Sequence, residues 1–215
     1  MSAGQLAEQM SAGIEALGQQ SRQHPVVQYV SYLRLLTQWN KTYNLTAVRD
    51  PEKMVTHHIL DSLAVLPYLC GDHALDVGTG AGLPGLVLAM ARTDMHWILL
   101  DSRQKKIRFI TQAIMELRLA NVETVCVRVE EYRPAALFTT VITRAFGSLV
   151  NFYESAKHLL APAGVLLTMK GGDLSGEIEE LQDSKDAPGF IRLHKLAVPG
   201  VAKDRCLVEM GLAKI

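Results

Sequence analysis

The feature that most constrains the fold is a glycine-rich stretch at residues 74–85, which reads A-L-D-V-G-T-G-A-G-L-P-G. Ala74, Leu75 and Val77 form a short apolar run typical of a buried strand, and four glycines follow within eight residues. Glycine permits positive φ angles and close approach of a ligand, and Pro84 suits the first turn of a helix. The stretch predicts a strand that turns sharply into a helix, either around a nucleotide-type ligand or as a tight turn without one.

Two ligand chemistries fit these glycines. Gly80, Gly82 and Gly85 match the G-x-G-x-x-G fingerprint of dinucleotide-binding folds, which is weak by itself. Read from Asp76, the same residues give D-x-G-x-G-x-G, the pattern of S-adenosylmethionine (SAM) methyltransferases, in which the acid lies near the cationic methionine part. Both chemistries need an acid after the second strand for the ribose hydroxyls, and Asp101 ends the run H-W-I-L-L-D. Both interpretations remain open on these residues alone.

The composition of the chain constrains the expected cellular compartment more than it constrains the expected binding partners. At 215 residues and 48% hydrophobic content, the chain can bury a substantial core in one domain, or in one domain with an appendage. Lysine plus arginine and aspartate plus glutamate balance at 22 each, so an RNA site must come from local clustering. Three cysteines form neither a disulfide framework nor a zinc spacing, and no apolar run approaches about 18 residues. We therefore expect a soluble, cytoplasmic protein with no metal and no membrane partner.

Helical spacing dominates the chain before the glycine-rich stretch, and alternating strands and helices follow it. His24 and Pro25 indicate a break between two helices, and Asp50 and Pro51 indicate the start of a third. The alternation predicts a mostly parallel sheet covered on both faces. The predicted strands span residues 73–77, 96–101, 122–128, 139–143 and 163–170, with an antiparallel pair at 190–198 and 204–213. The predicted helices of this part span residues 83–92, 103–119, 148–160 and 173–183, and residues 183–189 are expected to form a mobile loop.

The densest cluster of basic residues follows the second predicted strand. Arg103, Lys105, Lys106 and Arg108 lie within six residues, opposed by Asp101 alone. Such charge runs are usually solvated helix faces, but they also contact RNA phosphates. Both roles remain open for these four side chains.

The ends of the fourth and fifth strands form a second candidate site, because parallel strands present their carboxyl ends to the ligand crevice. The fourth strand ends in V-I-T-R-A-F-G-S, which places Arg144 and Phe146 there, and the fifth ends at Lys170. Arginine grips phosphate and stacks on rings, and phenylalanine stacks on a base or packs in a core. Because an arginine in an apolar run needs a partner, we favour a functional role for Arg144.

Two segments of the helical region carry unusual polar residues. W-N-K-T-Y-N-L-T at residues 39–46 combines aromatics, amides and Lys41, which fits RNA contact and helix-end capping equally well. H-H-I-L-D-S at residues 57–62 invites a metal or catalytic interpretation. The sequence contains no second ligand cluster, so we expect His57 and His58 to be structural.

The sequence lacks the marks of two common nucleic-acid methylation chemistries. Methylation of an exocyclic base nitrogen is usually marked by N/D-P-P-Y/F after the fourth strand, where this chain has T-R-A-F. Methylation of a pyrimidine carbon commonly needs a cysteine beside a proline, and none of the three cysteines has one. A target with a free lone pair, such as purine N7, needs neither. Catalysis would then consist of aligning donor and acceptor, helped by groups that tolerate the moving positive charge.

Five motifs, taken in order from about residue 27 to 172, resemble those of the RsmG family, also called glucose-inhibited division protein B. They are W-N-K-T-Y-N-L-T, H-I-L-D-S, D-V-G-T-G-A-G-L-P-G, L-L-D-S-R-Q-K-K-I-R-F and T-R-A-F-G-S. Members of that family are SAM-dependent methyltransferases that modify N7 of the guanine at position 527 in bacterial 16S ribosomal RNA. The resemblance implies the same activity here, with S-adenosylhomocysteine as product. Ala81 stands where proline is frequent and Thr143 where serine is frequent.

The resemblance and the motifs together give a set of expected site residues. The cofactor would be bound by Asp76, Gly78, Gly80, Gly82 and Leu83 at the loop, by Asp101 at the ribose, by Val129 and Glu130 at the adenine, and by Arg144, which is also the expected catalytic residue. RNA contacts would come from Lys41, Arg103, Lys105, Lys106, Arg108, Phe146 and Lys170.

We therefore expect an α/β protein with a Rossmann-like SAM-dependent methyltransferase fold. A helical cap (residues 1–70) would precede a methyltransferase domain (residues 71–215) built on a mostly parallel seven-stranded sheet. The substrate would be 16S rRNA, free or in a small ribosomal subunit particle, and the protein would be a monomer. The alternatives are an NAD(P)-dependent oxidoreductase and a non-catalytic, SAM-responsive RNA-binding module.

Overall fold

A computed structural model describes residues 2–212 of the chain. Residue 1 of the expected helical cap and residues 213–215 of the expected methyltransferase domain lie outside it, and residue 213 is also the end of the last predicted strand. The centre of the structure is a seven-stranded sheet in the order β3-β2-β1-β4-β5-β7-β6. Strands β1 to β5 are mutually parallel, and β7 and β6 complete the sheet as an antiparallel pair. The strands are His73–Val77 (β1), His96–Leu100 (β2), Val122–Val125 (β3), Phe138–Arg144 (β4), Leu160–Lys170 (β5), Phe190–Leu196 (β6) and Arg205–Gly211 (β7).

The helices are α1 (Ala3–Ala16), α2 (Val26–Tyr43), α3 (residues 51–63), α4 (Gly85–Ala91), α5 (Gln104–Leu117), α6 (Leu149–Ala156) and α7 (Ser175–Gln182). Helix α3 is α-helical at Pro51–Met54, π-helical at Val55–Leu60 and α-helical again at Asp61–Leu63. Short 3₁₀ turns lie at Ser21–Gln23, Leu66–Tyr68, Val129–Glu131 and Lys157–Leu159. Within residues 2–212, no helix is both long enough and apolar enough to span a membrane.

Two hydrophobic clusters cover the two faces of the sheet. The first joins the cap helices to α4, α5 and one sheet face, and it includes Leu36, Ile59 and Leu86. The second packs α6 and α7 on the opposite face, around Leu75 and Phe152. The helical cap therefore shares its core with the sheet.

The cap also contacts the glycine-rich loop directly. Tyr32 of α2 is fully buried, and its hydroxyl donates a hydrogen bond of 2.7 Å to the carbonyl oxygen of Ala81. Burial raises the pKa of the Tyr32 hydroxyl, so the group stays a neutral donor. Through this bond α2 holds the loop that follows β1.

The predicted order of elements is confirmed, including the closing antiparallel pair and the helix that starts at Asp50 and Pro51, where the Asp50 side chain accepts from the Glu52 amide. Three boundaries are wrong. The third strand ends at Val125 instead of residue 128, because its one neighbour, β2, ends at Leu100 opposite it.

The fifth strand begins at Leu160 instead of residue 163, because Leu160 already pairs with Phe138 of β4. The helix predicted at residues 148–160 ends at Ala156, where a 3₁₀ turn begins. The other strands and helices predicted from residue 73 onward agree with the structure within two residues at each end, and the π-helical segment of α3 was not predicted.

Candidate functional site

The candidate site lies where the connections across the sheet reverse direction. Strand β1 pairs with β2 on one side and with β4 on the other, and all three are parallel, so their carboxyl ends meet at one edge. Open α/β sheets bind ligands in the crevice at this switch point. A cleft of about 140 Å³ opens there, lined by Val77, Gly78, Leu100, Asp101, Ser102, Val127, Arg128, Val129, Glu130 and Phe146.

The glycine loop after β1 forms one wall of this cleft. The amides of Gly78 and Thr79 both donate to the Leu100 carbonyl, at 2.9 and 3.0 Å, which fixes the loop against β2. Gly78 is exposed and has a φ of +68°, a conformation that other residues rarely adopt. A Cβ atom at Gly78 would lie 3.6 Å from the Phe146 ring, so glycine here keeps the cleft open.

The remaining loop residues support the turn from behind. Gly80 and Gly82 also have positive φ angles. Leu83 is buried in the hydrophobic core beneath the loop and does not line the cleft. These residues therefore shape the loop that carries Gly78.

Asp101 joins the glycine loop to the start of α5. Its Oδ2 accepts from the Gly80 amide (3.0 Å) and its Oδ1 from the Arg103 amide (2.9 Å). The Lys106 ammonium lies 3.4 Å from Oδ2. A carboxylate has about four acceptor positions, so Asp101 can still accept from a ligand hydroxyl in the cleft that it lines.

Asp76 supports the loop from inside the protein. Its side chain is fully buried, and Oδ2 accepts from the Gly85 amide at the start of α4 (2.8 Å). Burial raises the pKa of this carboxyl to about 6, although the Gly85 amide and the charge of Arg144 lower it. Asp76 does not line the cleft, and its Oδ1 has no hydrogen-bond partner among residues 2–212.

The opposite wall of the cleft is the 3₁₀ turn at Val129–Glu131. Val129 is buried and packs in the second hydrophobic cluster, while Glu130 is exposed at the rim. Both residues line the cleft, as the resemblance implies.

A second cavity, of about 390 Å³, lies beside the first at the ends of β4 and β5. It is lined by Val48, His57, His58, Asp61, Arg144, Ala145, Met169, Lys170, Gly171 and Arg205. Arg144 lines this second cavity and not the cleft beside the glycine loop. The segment Ala145–Phe146 connects the two, because Ala145 lines one and Phe146 the other.

Arg144 has the partner that its position in an apolar strand requires. Its Nη1 donates to the carbonyl of His57 (3.0 Å) and to Oδ2 of Asp61 (3.3 Å). Arg205 donates from Nε to the other carboxylate oxygen of Asp61 (3.1 Å). Sequence reasoning missed Asp61 and Arg205. The position of Asp61 between Leu60 and Leu63 was an available signal for a buried ion pair, but nothing in the sequence indicated Arg205.

Phe146 and Ala145 form a constrained turn after β4. The Phe146 ring is half-buried and meets Phe152 edge-on at 5.6 Å, so it packs and lines the cleft at the same time. Ala145 has a φ of +63°, which costs a non-glycine residue of the order of 1–2 kcal/mol. The fold holds the chain in this conformation at the rim of both cavities.

The expected RNA-binding cations fall into two groups. Lys41, Arg103, Lys105 and Arg108 are exposed at the surface. Lys106 instead pairs with Asp101 over the glycine loop. Lys170 donates to the Gly147 carbonyl (2.6 Å) and to Glu177 Oε2 of α7 (2.8 Å), so its charge is already paired.

The segment at residues 39–46 serves to cap α2. The Asn40 side chain donates to the Thr46 carbonyl (3.0 Å) and accepts from its amide (2.9 Å). The ring of Trp39 stacks on Tyr43 with centroids 5.2 Å apart, and Tyr43 is exposed. Capping is thus observed, and RNA contact by Lys41 stays a prediction.

The two histidines of α3 differ in environment. His58 is buried, and its Nε2 lies 2.9 Å from the Thr46 hydroxyl. Burial lowers the pKa of His58 to about 4, so the ring is neutral near pH 7. His57 lines the second cavity and offers its carbonyl to Arg144.

A glycine loop after the first strand, an acid after the second, and a parallel sheet closed by an antiparallel pair define a Rossmann-like methyltransferase fold. The fold is shared with a SAM-dependent methyltransferase of Aquifex aeolicus, with a TM-score of 0.56 and 19% identity over 78% of this chain and 96% of that chain.

Comparison of the sequence is more specific. Residues 26–207 match the family described as rRNA small subunit methyltransferase G, GidB. The "Ribosomal RNA small subunit methyltransferase G" of Nitrosococcus oceani is 45% identical over 201 residues, which cover 94% of this chain and 92% of the relative. The protein of the same name from Laribacter hongkongensis is 41% identical over 207 residues, covering 96% and 99%. The chain therefore belongs to the rRNA small subunit methyltransferase G family.

Proposed function

We propose that this chain transfers a methyl group from SAM to N7 of a guanine in 16S rRNA, the guanine at position 527 being implied by the family resemblance. The observation that carries the proposal is the cleft at the switch point, where the open Gly78 faces Phe146 and the Asp101 carboxylate lines the floor. The relatives' names point to small-subunit rRNA as the substrate.

The residues of the cleft fit a SAM-type cofactor. Gly78 leaves space that a Cβ atom would fill, and the Asp101 carboxylate retains acceptor capacity for ribose hydroxyls. Val129 would supply an apolar wall for the adenine, and Glu130 would lie at its rim. Phe146 closes the cleft on the side of the second cavity.

Methyl transfer to guanine N7 requires the protein mainly to align the methyl donor with the acceptor nitrogen. SAM, when bound, supplies a methyl group on a positively charged sulfur. Guanine N7 carries a free lone pair, so no residue has to remove a proton before transfer. The chain's residues would orient the base, exclude water and tolerate a positive charge, which are the terms that alignment and electrostatic preorganisation contribute. Arg144 would act on the RNA side, from the second cavity.

Exposed cations beside the cleft would bind the RNA backbone. Helix α5 buries Ile107 and Ile110 while exposing Lys105 and Arg108 on its outer face. Phosphate neutralisation by such side chains makes RNA affinity depend on salt. Lys41 and the exposed Tyr43 would add a cation and a stacking surface at the end of α2.

The experiment that tests the proposal is a parallel calorimetric titration with S-adenosylhomocysteine and NAD, followed by methyl transfer to free 16S rRNA and to small subunit particles. We expect binding of S-adenosylhomocysteine alone and formation of 7-methylguanine. Binding of NAD alone would contradict the proposal and favour an oxidoreductase. Cofactor and RNA binding without transfer to either substrate would favour the non-catalytic module.

Two glycines provide a matched pair of variants. Gly78→Ala places a methyl group in the cleft, whereas Gly172→Ala meets no atom within 4 Å, and both positions have positive φ angles. Both variants should lose similar stability through backbone strain, but only Gly78→Ala should weaken S-adenosylhomocysteine binding. Equal affinities for the two variants would show that the cofactor does not bind against the glycine loop.

A further inference from the structure

Three cations from neighbouring strands meet at the edge of the second cavity. Arg144 is the last residue of β4, Lys170 is the last of β5, and Arg205 is the first of β7. The sheet register sets them side by side, because Arg144 pairs with Met169 and Lys170 pairs with Cys206. Glu177 already pairs with Lys170, which leaves the two arginines to be explained.

A single buried carboxylate holds both arginines. Asp61 is 2% exposed, its Oδ2 lies 3.3 Å from Arg144 Nη1 and its Oδ1 lies 3.1 Å from Arg205 Nε. We name Arg144, Asp61 and Arg205 the arginine clamp. Two positive charges face one negative charge, so the arginine clamp keeps a net positive charge.

The helix that supplies Asp61 is distorted where it meets the arginine clamp. The π-helical segment Val55–Leu60 immediately precedes Asp61, and its His57 carbonyl accepts from Arg144 (3.0 Å). π-Helical turns in α-helices occur frequently at functional sites. Here the distortion adds a second acceptor that fixes the orientation of Arg144.

Each guanidinium keeps donors that the protein does not use. Among residues 2–212, Nε and Nη2 of Arg144 and Nη1 and Nη2 of Arg205 have no hydrogen-bond partner. The two arginine side chains are 24% and 28% exposed and line the cavity of about 390 Å³. The planar forks of two arginines match the oxygens of a phosphate group.

We propose that the arginine clamp binds a backbone phosphate of the substrate RNA, next to the nucleotide that is methylated. The identity of the ligand as RNA depends on the proposed function, whereas the affinity for a phosphodiester depends on the arginine clamp alone. A phosphate fits better than the guanine edge, because arginine reads guanine through O6 and N7 together and N7 has to stay open for methylation. Val48 and Met169, which line the same cavity, leave apolar surface for the attached nucleoside.

The test is RNA binding by Arg205→Gln, with Arg192→Gln as the matched control. Arg192 belongs to the same antiparallel pair and also pairs with a carboxylate, Glu209, but it lies at the opposite end, 63% exposed. Anisotropy titrations of a 16S rRNA fragment at several salt concentrations give the affinity and its salt slope. Arg205→Gln should lower the slope by about 0.7–1 and the affinity by about tenfold near 0.1 M salt, with S-adenosylhomocysteine affinity unchanged.

Four outcomes of these experiments distinguish the possibilities. An unchanged salt slope in a folded Arg205→Gln variant, or an equal change in Arg192→Gln, would overturn the proposal. Loss of S-adenosylhomocysteine affinity without loss of RNA affinity would assign the arginine clamp to the cofactor and overturn it as well. Suppose that Arg205→Gln weakens RNA binding as expected, but the wild-type protein neither binds S-adenosylhomocysteine nor transfers a methyl group. The proposed function would then be wrong, and the phosphate contact of the arginine clamp would still be supported.

Arg205→Lys keeps the test decisive if the glutamine variant does not fold. Lysine retains the charge beside Asp61 but loses the fork, so RNA affinity should fall several-fold while the salt slope stays near that of the wild type. Wild-type affinity in this variant would exclude a forked phosphate contact.

Discussion

The buried carboxyl of Asp76 should make the free energy of unfolding depend on pH. It lies beneath the glycine loop, fully buried, with one oxygen bound to the Gly85 amide and the other without a partner among residues 2–212. Its pKa is raised from 3.8 to about 6, with burial as the main cause. The variant Asp76→Asn keeps an acceptor for the Gly85 amide and removes the titration.

The magnitude follows from linkage between protonation and folding. Because the pKa is higher in the folded state, folding favours the protonated form, and ionisation destabilises the protein as pH rises toward and past about 6. A difference of about two pKa units corresponds to about 3 kcal/mol. The free energy of unfolding of Asp76→Asn, relative to wild type, should therefore increase by about 3 kcal/mol between about pH 3 and pH 8.

Urea unfolding at a series of pH values, followed by tryptophan fluorescence, measures this difference. Asp94→Asn is a control of opposite sign, because a hydrogen bond from Arg92 lowers the pKa of the exposed Asp94 carboxyl. Wild-type protein should gain stability over that variant as the pH rises. A difference between Asp76→Asn and wild type that stays constant with pH would refute the raised pKa and its attribution to burial.

The remaining predictions concern packing, the cofactor and RNA. Gly85→Ala should lower the free energy of unfolding by about 1–3 kcal/mol, because its Cβ would overlap Leu99 and lie 2.6 Å from Asp76 Oδ2. Gly176→Ala in α7, with open space around it, should lose nothing in the same urea experiment. Asp101→Ala should weaken S-adenosylhomocysteine binding by about 1–3 kcal/mol in calorimetry, and an unchanged affinity would refute the ribose assignment. Replacing both Lys105 and Arg108 by serine should reduce the salt slope of RNA binding by about one to two, and an unaltered slope would show these side chains to be a solvated helix face.

Features encoded by neighbouring residues could be predicted from the sequence. The apolar run before Gly78 and the glycines after it define a strand and a turn within a dozen residues, and Asp101 follows its strand directly. The cleft that Gly78 and Asp101 line therefore appears where the sequence places it. The edge strand β3 was less predictable, because its end depends on the length of β2 and not on its own residues.

The second cavity depends on contacts that no local pattern reveals. The sequence shows that Arg144 needs a partner, but Asp61 lies 83 positions from Arg144 and 144 positions from Arg205. The density of basic residues gave Lys106 the same predicted role as Lys105, and the end of the fifth strand gave it to Lys170. The folded chain pairs the first two with carboxylates and leaves Lys105 exposed.

The hydrogen bond from Tyr32 to the Ala81 carbonyl joins the N-terminal helices to the glycine-rich loop. A fragment beginning at β1 would lack the Tyr32 hydroxyl, so the Ala81 carbonyl would lose its hydrogen-bond donor. The fragment would also expose the apolar surface that α4 and α5 share with the first three helices. The change near residue 70 from helical spacing to alternating strands and helices thus marks a change of architecture within a shared hydrophobic core. A substitution on the buried side of α2 that displaces Tyr32 would remove a hydrogen bond from the loop after β1.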